Sequence, residues 1–326
     1  MARFIALRAA WAIPVLFIVT FLTFWAVKSA TDPVQSYLRV NTRATPEMVE
    51  VYKEKHGLIG STPEQYFRWL GNFVTLEWGN SIKGNRPVWP DLKAAMVNSL
   101  ILGITASIVG ITIGLGIGIF SALRQYSKFD TAATGASFVG ISMPPFVSAV
   151  LLQVFFAILI TRWLGLDKPF LPVAGIYPPG QTTFDLGLRA KHMILPVTVV
   201  AIQIIAVYSR YMRASLLDVK GSDYMRTARA KGISERKVIM HHAMRNAMIP
   251  VVTVAAIDFG AIVGGLIITE RIFEFHGTGD YLLTALGNGD FPQIMPLMFV
   301  IVSSVIIFNL LADVTYAWLD PRIRLG

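Results

Sequence analysis

The sequence predicts an all-α polytopic membrane protein with about six transmembrane helices. Three observations carry this. Of its 326 residues 54% are hydrophobic and only 15% charged, where soluble domains carry roughly 25% charged residues. Long runs lack Asp, Glu, Lys and Arg altogether, and each approaches the roughly 20 residues needed to cross a bilayer. The basic residues are gathered into a few connections, above all nine Lys and Arg between Arg210 and Arg245.

The runs follow in order. Residues 9–27 are uncharged and lie behind Arg3 and Arg8. They could form a secretory signal, but the run exceeds a usual signal core and Lys28 stands where a small residue would be needed before Ala30, so we read a retained first span. Residues 99–123 are uncharged and Gly-rich; Gly110, Gly114, Gly116 and Gly118 read as small-residue helix packing. Residues 131–161 are uncharged but should kink or break at Pro144-Pro145. A shorter span occupies 193–209. Residues 247–269 carry one charge, Asp258, and 291–312 carry none.

Lys and Arg set the expected orientation. With the N-terminus inside, 15 basic residues fall inside and 14 outside, but nine of the outside group lie in the connection from Lys28 to Lys93. That connection exceeds about 60 residues, where the rule loses force. Both termini are therefore expected in the cytoplasm, at a bacterial-type inner membrane. The chain divides into an N-terminal helix (1–29), an extracytoplasmic helical insertion (30–97) and a five-helix core (98–326) carrying a cytoplasmic loop (210–248). In the insertion, Thr45-Pro46-Glu47 and Thr62-Pro63-Glu64 open two helices, and Gly57 can close the first. The insertion reads as a packing cap on the membrane face or as part of a docking surface for an extracytoplasmic partner.

Several chemistries are excluded. There is no cysteine, hence no disulfide or thiolate site. None of the five histidines stands in an HExxH pattern. No GxxxxGK[ST] string could cradle phosphates, so no ATP hydrolysis, cofactor or metal is expected of this chain itself. No Ser/His pair or paired aspartates mark a hydrolase in the spans; Asp258 and Asp313 are the membrane-level carboxylates. The net charge of +9 is explained by positive loops facing membrane lipid and needs no nucleic acid.

The loop carries the most information. Ser222 or Asp223 can cap a short helix from Tyr224 to Lys231, and Gly232 can terminate it in the left-handed conformation. Ser234 then caps a second helix running through His241 to Pro250 and into the next span. Ala228, a small residue at the helix centre, would let another protein approach closely.

The run Tyr224, Met225, Arg226, Thr227, Ala228, Arg229, Ala230, Lys231, Gly232 resembles the coupling loop, or EAA motif, of ABC importer permeases, in the dipeptide/oligopeptide/nickel-type branch. Only Ala228 and Gly232 match the general motif; Arg226 and Thr227 stand where it has Glu and Ala. The branch's variant is also similar at His242-Ala243-Met244-Arg245-Asn246-Ala247 with Ile249-Pro250. Further stretches resemble it: Gly71-Asn72 to Pro87 with Asn98-Ser99-Leu100; Glu270-Arg271-Ile272-Phe273 with Gly277-Thr278-Gly279; and Leu319-Asp320-Pro321-Arg322-Ile323-Arg324. The likeness thus covers essentially the whole chain.

This resemblance implies a type I ABC importer transmembrane fold. It also implies a second homologous permease subunit, two cytoplasmic ATPase subunits holding ATP and Mg, and an extracytoplasmic substrate-binding protein. Cargo would be di- or oligopeptides, alternatively nickel or another small solute. A stand-alone secondary transporter is the rival class, but it would favour more ionisable residues in the spans. Residues Ser222 to Gly232, with Ser234, would be the ATPase-coupling site. Asp258 would either line the path and meet a peptide's cationic N-terminus, or hydrogen-bond a neighbouring helix in the core of the permease pair.

Overall fold

The computed structural model describes the backbone of residues 2–181 and 183–319, and the side chains of these except 2–6, 8, 9, 261, 313 and 315–319. Most of the Leu319 to Arg324 motif, and the Asp313 side chain, lie outside the described residues.

The order is α1 (Ala2–Ala30), α2 (Pro33–Val40), α3 (Pro46–Lys55), α4 (Thr62–Val74), α5 (Val88–Leu123), α6 (Lys128–Ser142), α7 (Pro145–Gln153), a π-helical segment (Val154–Leu159), α8 (Ile160–Trp163), α9 (Leu186–Lys220), α10 (Asp223–Ala230), α11 (Glu235–Lys237), a second π segment (Val238–Ala243), α12 (Met244–Ile262), α13 (Ile267–Ile272), α14 (Thr278–Asn288) and α15 (Phe291–Leu319). Five stretches are long and apolar enough to cross a membrane: Ala10–Ala30, Val88–Leu123, Pro145–Trp163, Leu186–Lys220 and Phe291–Ala312. The 19-residue α12, about 28 Å long at 1.5 Å per residue, packs against α9 and α15 and supplies the sixth.

Two spans outrun their apolar windows. The 36 residues of α5 and 35 of α9 reach roughly 50 Å, against roughly 30 Å of hydrocarbon. Their polar ends, Asp91 and Lys93 on α5 and Arg213 to Lys220 on α9, extend beyond the bilayer core. Because α5 is unbroken from Val88, the expected division at 97/98 falls inside a helix and is not a structural boundary. The two helices pack closely through small residues. A methyl on Gly110 would meet Ile204 Cβ at 2.7 Å, on Gly114 Tyr208 Cβ at 3.1 Å, and on Gly118 Met212 Cβ at 2.8 Å. These three lie four residues apart, on one helix face. Gly116 has nothing within 4 Å; it is off that face and takes no part in the packing against α9.

The 131–161 run breaks at Pro144-Pro145 as expected, but α6 begins earlier, at Lys128, with Ser127 accepting from the Asp130 N–H at 3.2 Å. The 247–269 run departs further from expectation. Its helix stops at Ile262; Gly265, with φ +84°, turns the chain, and Ile267–Thr269 belong to the separate α13. Apolarity alone does not reveal that reversal.

The insertion follows its capping signals. Asp32 accepts from the N–H groups of Val34 and Gln35 at the start of α2, and Thr45 accepts from the Met48 N–H at the start of α3. On α4 the cap is Ser61, one residue before the expected Thr62; its N–H donates to Glu64 Oε2 at 2.7 Å, half of a capping box. The insertion does not fold as a separate unit. Tyr66 of α4 is 1% exposed and packs with Phe24, Phe291 and Met295 in one aromatic-rich cluster. Its hydroxyl lies 2.7 Å from Thr20 Oγ1 of α1. Beside that cluster, residues of the insertion and the start of α15 enclose a cavity of about 810 Å³.

Candidate functional site

At one end of α5 and α9 the chain forms a knob. Helix α9 ends at Lys220, whose Nζ donates to the Ala122 carbonyl at 3.1 Å, and the chain turns at Gly221. Ser222 occupies the cap position of α10 (φ −73°, ψ 153°). Its hydroxyl donates back to the Val219 carbonyl at 2.6 Å, so it ties α10 to α9 and does not cap the free N–H groups. The helix runs from Asp223 to Ala230, with Lys231 closing it and Gly232 reversing the chain at φ +73°. Ser234 starts α11, and the π segment carries that helix without a break into α12.

The burial pattern divides α10 sharply. Met225 and Ala228, three residues apart, are 0% and 7% exposed and pack with Met212, Leu216, Val238, Ala243 and Ala247. Ala228 therefore serves the chain's own packing; the close approach it permits is to the π segment, not to another protein. The outer face consists of Asp223, Tyr224, Arg226, Thr227, Arg229, Ala230, Lys231 and Gly232, all exposed. Arg229 grips Glu235 with two bonds of 3.0 Å, bracing α10 to α11 across the Gly232 turn. The Arg229 bonds hold the Glu235 carboxyl below its ordinary range. Asn246 of α12 donates to the Tyr224 hydroxyl at 2.8 Å. The knob is thus a rigid eight-residue helix seated on α9 and α12, with a polar face turned outward.

Behind it, α9 is clamped to the α5–α6 turn. Arg213 donates to both oxygens of Asp130, at 2.6 and 2.8 Å. Ser121 Oγ and the Tyr126 N–H also donate to that carboxylate. Apolarity does not point to Asp130, which lies one residue before an uncharged run. Its signal in the sequence is the Ser127-x-x-Asp130 cap pattern.

Deeper in the bundle, α5, α9 and α12 enclose a cavity of about 270 Å³ lined by Ser107, Gln203, Tyr208, Asp258 and Phe259 among others. Asp258 is exposed, and Tyr208 Oη donates to its Oδ2 at 2.7 Å. The carboxylate thus meets a neighbouring helix of its own chain and an open space at once.

At the opposite end of α5 lies a buried knot, built from residues that the family likeness picks out in separate stretches without joining them or giving them a role. Glu270 of α13 is 0% exposed. Its carboxylate accepts from Ser99 Oγ (2.6 Å), Leu266 N (3.0 Å), Gly279 N (2.8 Å) and Asp280 N (3.2 Å). The last two belong to the first turn of α14, where an anion satisfies otherwise orphaned N–H groups. A methyl on Gly277 would strike Glu270 and Ser99, and one on Gly279 would meet Ile267 Cα at 2.6 Å.

Comparison with known proteins agrees with this architecture. The family described as "Binding-protein-dependent transport system inner membrane component" matches residues 114–325. The oligopeptide transport system permease protein AppB of Bacillus subtilis (strain 168) is 34% identical over 99% of this chain and 100% of its own length. The dipeptide transport system permease protein DppB of Escherichia coli (strain K12) is 33% identical over 99% of each. Among solved structures, an inward-facing form of the MetNI methionine ABC transporter superposes with a TM-score of 0.51 at 14% identity, covering 70% of this chain and 96% of that one. That likeness concerns the fold alone, the type I ABC importer transmembrane fold. By family match and full-length similarity, the chain belongs to the binding-protein-dependent transport inner-membrane components, the permease subunits of ABC importers.

Proposed function

We propose that this chain is one of two permease subunits that carry di- or oligopeptides into the cytoplasm by alternating access, driven by ATP bound with Mg on two separate ATPase subunits. The α10 end faces the cytoplasm, as do both termini. The insertion faces outward and contributes to the surface that receives a substrate-binding protein. The observation that carries the coupling role is the two-sidedness of α10: Met225 and Ala228 pack it into one cluster with α9, the π segment and α12, while among the described residues its exposed outer face is tied to other elements through the Glu235 and Asn246 braces. A helix held this way passes a push from an ATPase directly into two membrane helices. The Asp130–Arg213 clamp then carries the push to α5 and α6. Peptide cargo is supported by the full-length similarity to the oligopeptide and dipeptide permeases.

Gly232 provides the test. It sits at φ +73°, and a methyl added to it would have nothing within 4 Å. A β-branched residue there strains the backbone by about 1–2 kcal/mol, while its Cβ meets open space. Gly232→Val should insert and co-purify with the second permease, yet lose most uptake and leave ATP hydrolysis unresponsive to loaded binding protein. Normal peptide uptake by this variant would refute the coupling role. Recovery of the tagged chain from mild detergent with an ATPase bound separates the importer from a stand-alone carrier.

A further inference from the structure

Asp258 stands in an electrostatic setting that calls for a cation. Its carboxylate opens onto the cavity between α5, α9 and α12, and no Lys, Arg or His is among the lining residues. The one hydrogen bond described for it comes from Tyr208 Oη, to a single oxygen. Tyr208 is itself 1% exposed, so its ring is fixed by packing and holds the carboxylate in one orientation. Ser107 and Gln203 add neutral dipoles, and Phe259 an aromatic wall. A carboxylate at membrane depth is costly, and such residues face a cavity or a partner that compensates them. Glu270 shows what this chain does when a buried carboxylate has only to be stable: it surrounds it with four donors. Asp258 has one described donor and an open side.

We propose that Asp258 is a specificity-determining residue of the translocation path, receiving the protonated α-amino group of a passing peptide, with Tyr208 as the residue that positions it. This deepens the peptide-permease reading and rests on it. The cavity suits the assignment chemically. A primary ammonium brings three donors to a carboxylate with acceptor capacity left over, and a peptide's first side chain would lie against Phe259 and the aliphatic walls of Ile111, Val200 and Ile204. The interaction is with a moving cargo, so one strong contact in an otherwise neutral cavity is favoured over a closed cage that would trap the peptide.

The experiment uses the complete transporter in proteoliposomes, with its ATPases and saturating binding protein. It compares uptake of the tripeptide Ala-Phe-Ala with that of its N-acetylated form. In the wild type the free amine is preferred, and the preference declines as pH rises past roughly 8, where the α-amino group loses its proton. Asp258→Asn should raise KM for the free-amine peptide about 10- to 100-fold, the range of a charge-assisted hydrogen bond. It should leave the acetylated peptide unchanged, so that the wild-type preference and its pH dependence collapse. Asp258→Glu, which keeps the charge, should restore most of the preference. Tyr208→Phe should give a smaller loss in the same direction. An Asp258→Asn transporter whose preference and pH profile match the wild type overturns the proposal. So does one that fails to assemble with the second permease, since the carboxylate would then serve the interface. Wild-type transporter that moves neither these tripeptides nor the dipeptide Ala-Phe refutes the peptide-permease reading itself.

Discussion

Two short helices near opposite ends of α5 are built on opposite plans. Helix α13 turns its carboxylate inside: Glu270 is fully buried, it accepts four hydrogen bonds, and Gly277 and Gly279 let the neighbouring backbone close around it, while Arg271 alone of its charges is exposed. Helix α10 keeps its chemistry outside: its inner face is Met225 and Ala228, and every charge it carries is exposed. The difference fits the coupling role proposed for α10 and the internal turn formed by α13. A turn that reverses the chain at the membrane surface needs internal satisfaction, because an orphaned N–H there has no dependable partner. A helix that hands force to another protein needs apolar seating below and unspent polar groups above. Each plan predicts a different answer to mutation: damage in the knot is read as lost stability, damage in the knob as lost coupling.

The largest structural effect is expected at Glu270. Glu270→Gln keeps the shape but replaces one accepting oxygen by a donating NH2. Whichever way the amide turns, at least one buried N–H among Leu266, Gly279 and Asp280 faces a donor. An orphaned buried group costs about 1–3 kcal/mol, more where the lost partner was charged. We expect a loss of about 3 kcal/mol, seen as a melting midpoint in detergent lowered by roughly 5–10 °C. A midpoint within about 1–2 °C of the wild type, the shift of roughly half a kcal/mol, would show that the knot is not an independent source of stability.

This contrast is unevenly legible in the sequence. The spans can be read because apolar length is a one-dimensional property, and α10 because Ser222, Gly232 and Ser234 are local stop and start signals. The α5–α9 packing face is legible in Gly110, Gly114 and Gly118 through their spacing. The knot is legible only in pieces: Ser99, Glu270 and Gly279 stand in stretches that carry the family likeness, but their meeting around one carboxylate is made by the fold alone. The inward direction of Ala228 is not legible, since an eight-residue helix offers two turns and either face could be the seat. The turn at Gly265 is masked by the apolar residues on both sides of it, so the apolar run continues to Thr269 while its helix stops at Ile262.

A mixed case lies between the two plans. Asp130 and Arg213 join α9, on which the knob is seated, to the α5–α6 turn, with side chains 4% and 27% exposed. Breaking a fully buried pair costs about 3–5 kcal/mol. Here Arg213 can turn partly to water, so Asp130→Asn should cost about 2 kcal/mol. It should also weaken the response of ATP hydrolysis to loaded binding protein, because the clamp lies on the route from α10 to α6. A variant that loses stability while keeping full coupling would confine the clamp to a structural role, and would leave α9 and α12 as the levers.

The smallest structural effect is expected at the Arg229–Glu235 brace, and it sharpens the comparison most. Both side chains are substantially exposed, 37% and 56%, and exposed pairs add little to stability. Arg229→Met should leave the melting midpoint within error of the wild type. The brace nevertheless fixes α10 relative to α11 across a single glycine, so its loss should loosen the knob and lower ATPase affinity or coupling several-fold. The pH behaviour has a definite sign. Glu235 is held below its ordinary value of 4.5, chiefly by the Arg229 bonds. What the pair contributes is therefore present at neutral pH and lost only as pH falls below about 4.5 through the lowered value. Coupling measured between about pH 6 and 8 should show no dependence on this pair's protonation, in the wild type or in Arg229→Met. A midpoint drop in Arg229→Met comparable to that of Glu270→Gln would erase the distinction, because the knob's outer face would then be holding the fold as well as receiving a partner.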